Sequence, residues 1–314
     1  MTATDPTTLD QLRLEETRLR QGLVSRNTVL GYGYDVQMYS AWCARFRLEA
    51  LPSTPETLAL YLTDLLRQGK KITTARRRKC AIVHEHVSHG LASPLTHEIR
   101  KLLTGAQRLR GEKPRQMRPI TIAQLSKMSS ALAKLGTSTA LRNRALLVLG
   151  FASALRRSNL AALNLADIEF NREGLIVSVS REKNDQKGVG RSVGLPRGKH
   201  ANTCPVRVLR DWLRVRGRHA GPLFPRLDPT HEGEPLDGEF VCRIVKDALV
   251  LIDVDPTQYG AHSLRAGFIT AAGEAGVGEL LIASQSGHRN MQTLRRYFRR
   301  TDLFRANACA MVGL

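Results

Sequence analysis

Apolar residues in the first third of the chain recur at helical spacing, and helix-capping residues, glycines and prolines interrupt them. Thr73 or Thr74 can cap one of these helices, and Gly90 is suited to end it. The pattern shows no strand, so it predicts a small all-α domain. The predicted helices cover residues 25–46, 55–68, 73–89 and 97–109.

The pattern changes beyond residue 120. Three short runs alternate apolar and polar residues, and the polar turn Asn171–Gly174 separates the first two. They predict a small antiparallel sheet among helices, an α+β domain in a mainly helical protein. The predicted strands are 166–170, 175–180 and 191–195. The predicted helices are 123–135, 139–155, 204–216, 237–252, 262–275, 279–286, 290–299 and 302–312.

The two patterns meet at Gly111–Pro119, which contains two prolines, a glycine and several basic residues. Such a segment is a poor helix and a good extended linker. The sequence therefore predicts an N-terminal all-α domain at 1–110, a linker at 111–119 and a second domain at 120–314.

The amino-acid composition narrows the range of possible functions. The chain of 314 residues has a formal net charge of +20, divided as +8 over residues 1–115 and +12 over residues 116–314. An excess spread over both halves favours a polyanion such as nucleic acid that contacts both domains. The chain contains no long apolar run and no secretory pattern, and its five cysteines are scattered. A cytoplasmic, DNA-associated protein with no membrane partner is expected.

The densest basic run is 70–79, with six basic residues in ten. It falls at the start of the third predicted helix, and we expect it to contact DNA phosphates; the alternative is a solvated basic face. The expected DNA-binding residues are Arg76, Arg77, Arg78 and Lys79. His84, His86 and His89 follow in the same helix, but their spacing and the missing further ligands argue against a metal site.

The second domain holds a scattered set of reactive side chains. His262 and Arg265 lie three residues apart on one predicted helix face, and His288 follows in a polar turn. Arg156 lies at the predicted end of the apolar helix 139–155, and Lys183 lies in the hairpin loop. Singly, each has an ordinary structural explanation. Together with a tyrosine they are the groups that attack a phosphodiester without metal, whereas metal-dependent nucleases need clustered carboxylates.

The tyrosine is Tyr297, nine residues beyond His288. The ordered pattern of arginine, hairpin lysine, H-x-x-R, Gly-His and tyrosine resembles the tyrosine recombinases of the phage integrase family. Residues 73–94 also resemble the last helices of that family's N-terminal core-binding domain. The resemblance covers nearly the whole chain and implies a core-binding domain followed by a catalytic domain.

The resemblance implies a role for each residue. Tyr297 is similar to the nucleophile that forms a 3′-phosphotyrosyl bond, and His262 to its base. Arg156 and Arg265 resemble the paired arginines that bind the non-bridging phosphate oxygens. Two further roles follow from the resemblance: a phosphate hydrogen bond from His288 and proton donation to the leaving 5′-oxygen by Lys183. No metal, ATP or other cofactor is implied.

For two of these roles a neighbouring residue is an alternative candidate. Arg157 adjoins Arg156, and Lys187 shares the loop of Lys183. The chain also departs from the family pattern twice. Asn159 replaces the usual acidic residue after the arginine, for which we expect altered support of the site, and Ser286 replaces the commoner leucine before Gly-His.

The resemblance further implies a homotetramer on two DNA duplexes, with accessory DNA-bending proteins as further partners. Residues 302–314 would form an exchange helix that docks into a neighbouring copy. The expected function is site-specific integration, excision, inversion or resolution of double-stranded DNA at a specific recombination site. The alternatives are a type IB topoisomerase and a catalytically silent DNA-binding protein on the same scaffold.

Overall fold

The computed structural model describes residues 8–21, 26–111, 116–179 and 190–298. Contacts between Cα atoms divide the chain into two compact units, Met1–Arg115 and Gln116–Leu314. The mainly helical fold with a small antiparallel sheet, predicted from the sequence, is confirmed.

The described residues of the first unit form five helices, and they include no strand. Its core is formed by buried aromatic and aliphatic residues such as Tyr39, Leu62 and Ile82. Thr54 caps α3 by accepting a hydrogen bond from the Thr57 amide at 3.1 Å. The helices are α1 (Leu9–Gln21), α2 (Arg26–Arg45), α3 (Pro55–Arg67), α4 (Ile72–Ser88) and α5 (His97–Arg110).

Two details differ from the prediction. The first unit has a fifth helix, α1, that the apolar pattern missed because its described leucines, Leu9, Leu12 and Leu14, are all exposed. A helix that buries no apolar face leaves no periodic signal in the sequence. The predicted cap at Thr73 or Thr74 is also wrong, since α4 begins at Ile72 with Lys71 in the N-cap position.

The second unit surrounds a larger core that includes the fully buried Trp212, whose indole N–H donates to the Leu223 carbonyl at 2.8 Å. Its helices are α6 (Ile122–Leu135), α7 (Ser138–Ser153), α8 (Arg157–Ala161), α9 (Pro205–Arg216), α10 (Gly238–Val250), α11 (His262–Glu274), α12 (Glu279–Ser286) and α13 (Met291–Phe298). The predicted helix 302–312 lies outside the described residues.

Three strands form the antiparallel sheet in the order β1-β2-β3. Val177 of β2 pairs with Ile168 of β1 and with Val193 of β3. Alternate residues of β2, among them Leu175 and Val177, face the core. The strands are β1 (Ile168–Phe170), β2 (Gly174–Val179) and β3 (Arg191–Pro196).

The segment that precedes α6 is bound to α11 and the turn before it. The Arg118 amide donates to Gln258 O at 2.9 Å, and the Ile120 amide donates to Ser263 O at 3.0 Å. This close packing requires a glycine at position 267, because a Cβ there would lie 2.2 Å from Ile120 O. The chain is thus already fixed within the second unit two residues before the predicted domain start at 120.

Candidate active site

The first turn of α11 carries two of the predicted residues, His262 and Arg265. The turn begins after Gly260, whose amide donates to the Ser263 hydroxyl at 3.1 Å. Their spacing of three residues places both side chains on one side of the helix. Part of His262 is open to solvent, whereas Arg265 is 2% exposed.

Arg265 joins three segments of the second unit. Its Nη1 donates to the carbonyl of Ala154, directly after α7, at 2.6 Å and to the carbonyl of Ser286, the last residue of α12. Its Nη2 lies 3.2 Å from both ring nitrogens of His288. The buried guanidinium is therefore fixed by the fold before any substrate arrives.

Tyr297 lies beside His262. Its hydroxyl oxygen is 2.6 Å from His262 Nε2, and its ring centre is 5.9 Å from that of His288 in an edge-on arrangement. Helix α13 presents this tyrosine through the fully buried Leu294 and through an ion pair between Arg295 and Glu279 at 3.0 Å. A hydroxyl and an imidazole nitrogen that can accept its proton are thus within hydrogen-bond distance.

The arginine pair 156–157 is placed differently from the prediction. Helix α7 ends at Ser153, Ala154 adopts the left-handed conformation with φ of 49°, and Arg156 occupies the N-cap position of α8. The predicted helix end at residue 155 and the placement of Arg156 on it are wrong. The left-handed residue turns the chain, so that half-buried Arg156 belongs to a second helical segment.

Opposed effects set the charge states of the His262–Tyr297 pair. Partial desolvation lowers the pKa of His262, and the positive charges of Arg265, Arg156 and Arg157 lower it further. Burial raises the pKa of Tyr297, although Arg265 and Arg156 act in the opposite direction. His262 is therefore neutral near pH 7 and able to accept the proton of a neutral tyrosine.

These shifts predict the acid side of the pH–rate profile. Protonated His262 can no longer act as a base. The cleavage rate should therefore fall only when the pH drops below 6.5, the ordinary pKa of histidine, toward the lowered pKa of His262. Replacing Arg157 by Gln removes one positive charge and should move this limb to higher pH. Single-turnover cleavage rates between about pH 5 and 8 check this; a limb that stays in place in Arg157→Gln would contradict it.

The Asn159 side chain lies in α8 and is 9% exposed. Its Oδ1 accepts a hydrogen bond from the Ser158 hydroxyl at 3.3 Å. The amide side chain of Asn159, which stands in place of the usual acidic residue, is thus buried next to Arg156 and Arg157.

Lys183 and its rival Lys187 lie outside the described residues. The residue that follows their loop is described: Arg191 at the start of β3 donates from Nη1 to Gln285 O at 3.0 Å. Gln285 is the penultimate residue of α12, directly before Ser286. Strand β3 therefore begins close to the segment that holds His288.

The basic run in α4 separates into two kinds of residue. Arg76 is exposed and Lys79 is partly exposed, while Arg77 is half-exposed and donates to the buried Asp35 at 3.0 Å. Arg78 is 8% exposed and donates to the Tyr61 hydroxyl at 2.6 Å, with Asp35 at 3.6 Å. The DNA-binding assignment of Arg78 is therefore wrong, because its guanidinium is inside the first unit.

The histidines of α4 show no metal arrangement. His86 is buried, and both of its ring nitrogens are occupied: Nε2 accepts from the Ser53 amide and Nδ1 donates to Ile82 O, each at 2.8 Å. Within the described residues, no three His, Cys, Asp or Glu side chains are grouped as metal ligands.

The sequence comparison identifies the family. The model of the phage integrase family matches residues 118–303, more than half of the chain. The chain belongs to the phage integrase family. The predicted class of enzyme, a tyrosine recombinase that acts in site-specific recombination, is confirmed.

Relatives of this tyrosine recombinase align over nearly its full length. An integrase/recombinase xerD homolog of Selenomonas ruminantium is 30% identical over 305 residues, which cover 95% of this chain and 89% of the relative. The tyrosine recombinase XerD of Proteus mirabilis is 25% identical, with 90% and 86% of the two chains covered.

Solved structures of the family share the fold at lower identity. The Tn1549 transposon integrase in complex with a circular intermediate DNA matches with a TM-score of 0.62 and 16% identity over 93% of this chain and 95% of that one. A lambda integrase dimer bound to a COC′ core site matches with a TM-score of 0.60 and 17% identity over 91% and 75%. No helix among the described residues of this recombinase is long and apolar enough to span a membrane.

Proposed function

We propose that this recombinase cleaves DNA by attack of the Tyr297 hydroxyl on the scissile phosphate. The attack forms a 3′-phosphotyrosyl bond, breaks the bond to the 5′-oxygen and releases a 5′-hydroxyl. The observation that carries the proposal is the 2.6 Å contact between Tyr297 Oη and His262 Nε2, beside the charges of Arg265 and Arg156. Attack by a 5′-hydroxyl on the phosphotyrosine then rejoins a strand, so that no external energy source is needed.

The other residues have roles that follow from their chemistry. His262 takes the tyrosine proton and returns it on rejoining. The guanidinium groups of Arg156 and Arg265 stabilise the charge that develops on the non-bridging oxygens. His288 donates a hydrogen bond to the same phosphate, and Lys183 protonates the leaving 5′-oxygen. Strand β3 begins beside α12, where Arg191 donates to the Gln285 carbonyl. This position supports the role of a lysine in the loop that precedes β3.

The substrate in this proposal is a specific site in double-stranded DNA. Of the solved relatives described above, the Tn1549 transposon integrase is in complex with a circular intermediate DNA and the lambda integrase dimer is bound to a COC′ core site. The positive charge of this chain is present in both of its units, so the proposed core-binding domain at 1–110 and catalytic domain at 120–314 both supply phosphate contacts. Among the residues of α4, we retain Arg76, Arg77 and Lys79 for this role.

A paired substitution in α4 separates DNA binding from folding. Arg76→Ala removes an exposed charge and should weaken DNA binding while reducing the slope of log K against log salt concentration by about 0.9. Arg78→Ala leaves Asp35 its partner Arg77 but removes the buried donor to the Tyr61 hydroxyl, and should cost the first unit roughly 1–3 kcal/mol. Fluorescence anisotropy at several salt concentrations and denaturant titration check the pair. A loss of stability in Arg76→Ala with unchanged DNA affinity would contradict the assignment.

We further propose a homotetramer on two duplexes, in which residues 302–314 of one copy dock on the next. A groove of about 520 Å³ in the second unit is suited to an apolar helix. Leu281 on its edge is 69% exposed and Ile122 is 56% exposed. An amphipathic segment with Leu303, Phe304, Met311 and Val312 would cover such apolar surface.

Charge placed in this groove should block assembly and spare cleavage. Leu281→Glu should retain binding and covalent cleavage of a single site but lose the complex of four copies on two duplexes, together with Holliday-junction formation. Val250→Glu, at a position 57% exposed and outside the groove lining, is the matched control. Sedimentation of the protein–DNA complexes checks the prediction. Normal assembly of Leu281→Glu would exclude this groove as the acceptor.

A nicked duplex that carries the recombination site tests the proposed chemistry. Loss of the short strand after cleavage prevents rejoining and traps the 3′-phosphotyrosyl adduct. An adduct together with Holliday junctions supports the recombinase; an adduct with DNA relaxation and no junction would instead indicate the topoisomerase alternative. Absence of an adduct at a site that the protein binds specifically would indicate a silent DNA-binding protein.

A further inference from the structure

Ser286, the last residue of α12, contacts the site without being one of the predicted catalytic residues. Its side chain is fully buried, and its hydroxyl oxygen lies 2.6 Å from Ile282 O and 2.7 Å from His288 Nδ1. The leucine that commonly precedes Gly-His has no atom that could make these contacts.

The two contacts fix the direction of the hydrogen bonds. A carbonyl oxygen only accepts, and a hydroxyl has a single hydrogen, so Ser286 donates to Ile282 O. Its oxygen is then left as an acceptor toward His288, and Nδ1 must supply the proton. Neutral His288 is therefore protonated on Nδ1, and its Nε2 carries a lone pair.

Arg265 Nη2 lies 3.2 Å from both ring nitrogens of His288 and so does not select between them; the two Ser286 contacts alone assign the proton to Nδ1. The same guanidinium is bound to the Ser286 carbonyl through Nη1. Ser286 thus contacts His288 through its side chain and Arg265 through its backbone, which holds the imidazole edge and the guanidinium in one fixed arrangement.

We propose that Ser286 is a positioning residue that binds the Nδ1 proton of His288 and so directs Nε2 to the scissile phosphate. Nε2 donates to that phosphate once it has itself taken up a proton, while Nδ1–H stays bound to Ser286. A ring held by one nitrogen presents the other in a single orientation. The catalytic consequence rests on the proposed function, whereas the tautomer of His288 is a property of the protein without DNA.

Nuclear magnetic resonance of the full chain labelled with ¹⁵N-histidine measures the tautomer directly. Under alkaline conditions, two-bond ¹⁵N–¹H correlations should show His288 protonated on Nδ1, with its signals identified by their loss in His288→Gln. His86 is an internal reference, because its Nε2 accepts from the Ser53 amide and its tautomer is therefore also fixed. A wild-type His288 protonated on Nε2 would overturn the proposal without any change to Ser286.

The chain offers a matched control for the substitution. Ser153 is likewise fully buried, ends α7 and donates to Leu149 O at 2.6 Å, but it hydrogen-bonds to no histidine among the described residues. Ser286→Ala should release His288 from the Nδ1-protonated form, while Ser286→Thr and Ser153→Ala should retain it. An unchanged tautomer in Ser286→Ala would overturn the proposal.

Cleavage of the nicked duplex then tests the consequence. Ser286→Ala should form the covalent adduct about tenfold more slowly, a fraction of the ~10²-fold that a misplacement of 1 Å can cost. Ser286→Thr should restore the rate, and Ser153→Ala should match the wild type. A normal rate in Ser286→Ala would overturn the positioning role, whereas failure of the wild type to form any adduct would count against the proposed function. In that case the NMR measurement of the His288 tautomer would still decide whether Ser286 fixes the proton on Nδ1.

Discussion

Tyr297→Phe should form no covalent adduct with the nicked duplex while binding that DNA with unchanged affinity. The substitution removes only the hydroxyl that contacts His262 and keeps the ring beside His288. No other group in the proposed mechanism can form the phosphotyrosine, so strand cleavage should fall by more than about 10⁴-fold. Denaturing gels that separate the protein–DNA adduct from free strands measure the effect.

Tyr259→Phe is the matched control for this experiment. Tyr259 lies in the same unit and is 7% exposed, and its hydroxyl accepts a hydrogen bond from Gln124 at 3.2 Å. This variant loses a hydroxyl of the same chemistry outside the site and should cleave at the wild-type rate. Adduct formation by Tyr297→Phe would assign the nucleophile to another residue.

Arg265→Ala should lose both catalysis and stability. Removal of one donor to a charge that develops in the transition state typically costs about 3–4 kcal/mol, or roughly 10²–10³-fold in rate. The same change leaves the carbonyls of Ala154 and Ser286 without their guanidinium donor, at roughly 1–3 kcal/mol for each buried group left unpaired. Single-turnover cleavage and thermal unfolding measure the two losses separately.

Arg156→Ala is the informative comparison, because Arg156 is half-buried at the start of α8 and Arg265 is 2% exposed. Both variants should lose comparable activity, but Arg156→Ala should unfold at a temperature closer to that of the wild type. Arg265→Lys keeps the charge yet cannot reproduce the planar fork, so it should recover little of either property. Equal loss of stability in both alanine variants would contradict the structural role given to Arg265.

The sequence predicted the parts of the site that depend on local spacing. His262 and Arg265 share a face because they are three residues apart, and helix 279–286 has the bounds that the pattern predicted. The contact of Tyr297 with His262 spans 35 residues and required the resemblance to a family, since no periodicity connects them. Geometry of this kind depends on how α11 and α13 pack, which local patterns do not encode.

The errors have equally specific causes. Helix α8 has five residues and follows a left-handed alanine, so it is too short for a periodic signal and its start is not marked by glycine. The basic run groups Arg78 with its exposed neighbours, although Arg78 lies three residues after buried Ala75 and four before buried Ile82. That spacing marks the apolar face of α4 and could have separated Arg78 from the exposed arginines.

The attachment of residues 118–120 has a mechanical consequence. Arg118 and Ile120 are hydrogen-bonded to Gln258 and Ser263, and Gly267 allows this segment to lie against α11. Tension along the chain that enters the second unit is therefore transmitted to α11, whose first turn carries His262, the proposed base. A load applied before Arg118 would thus reach the first turn of α11 through the Ile120–Ser263 hydrogen bond, and the turn before it through the Arg118–Gln258 hydrogen bond.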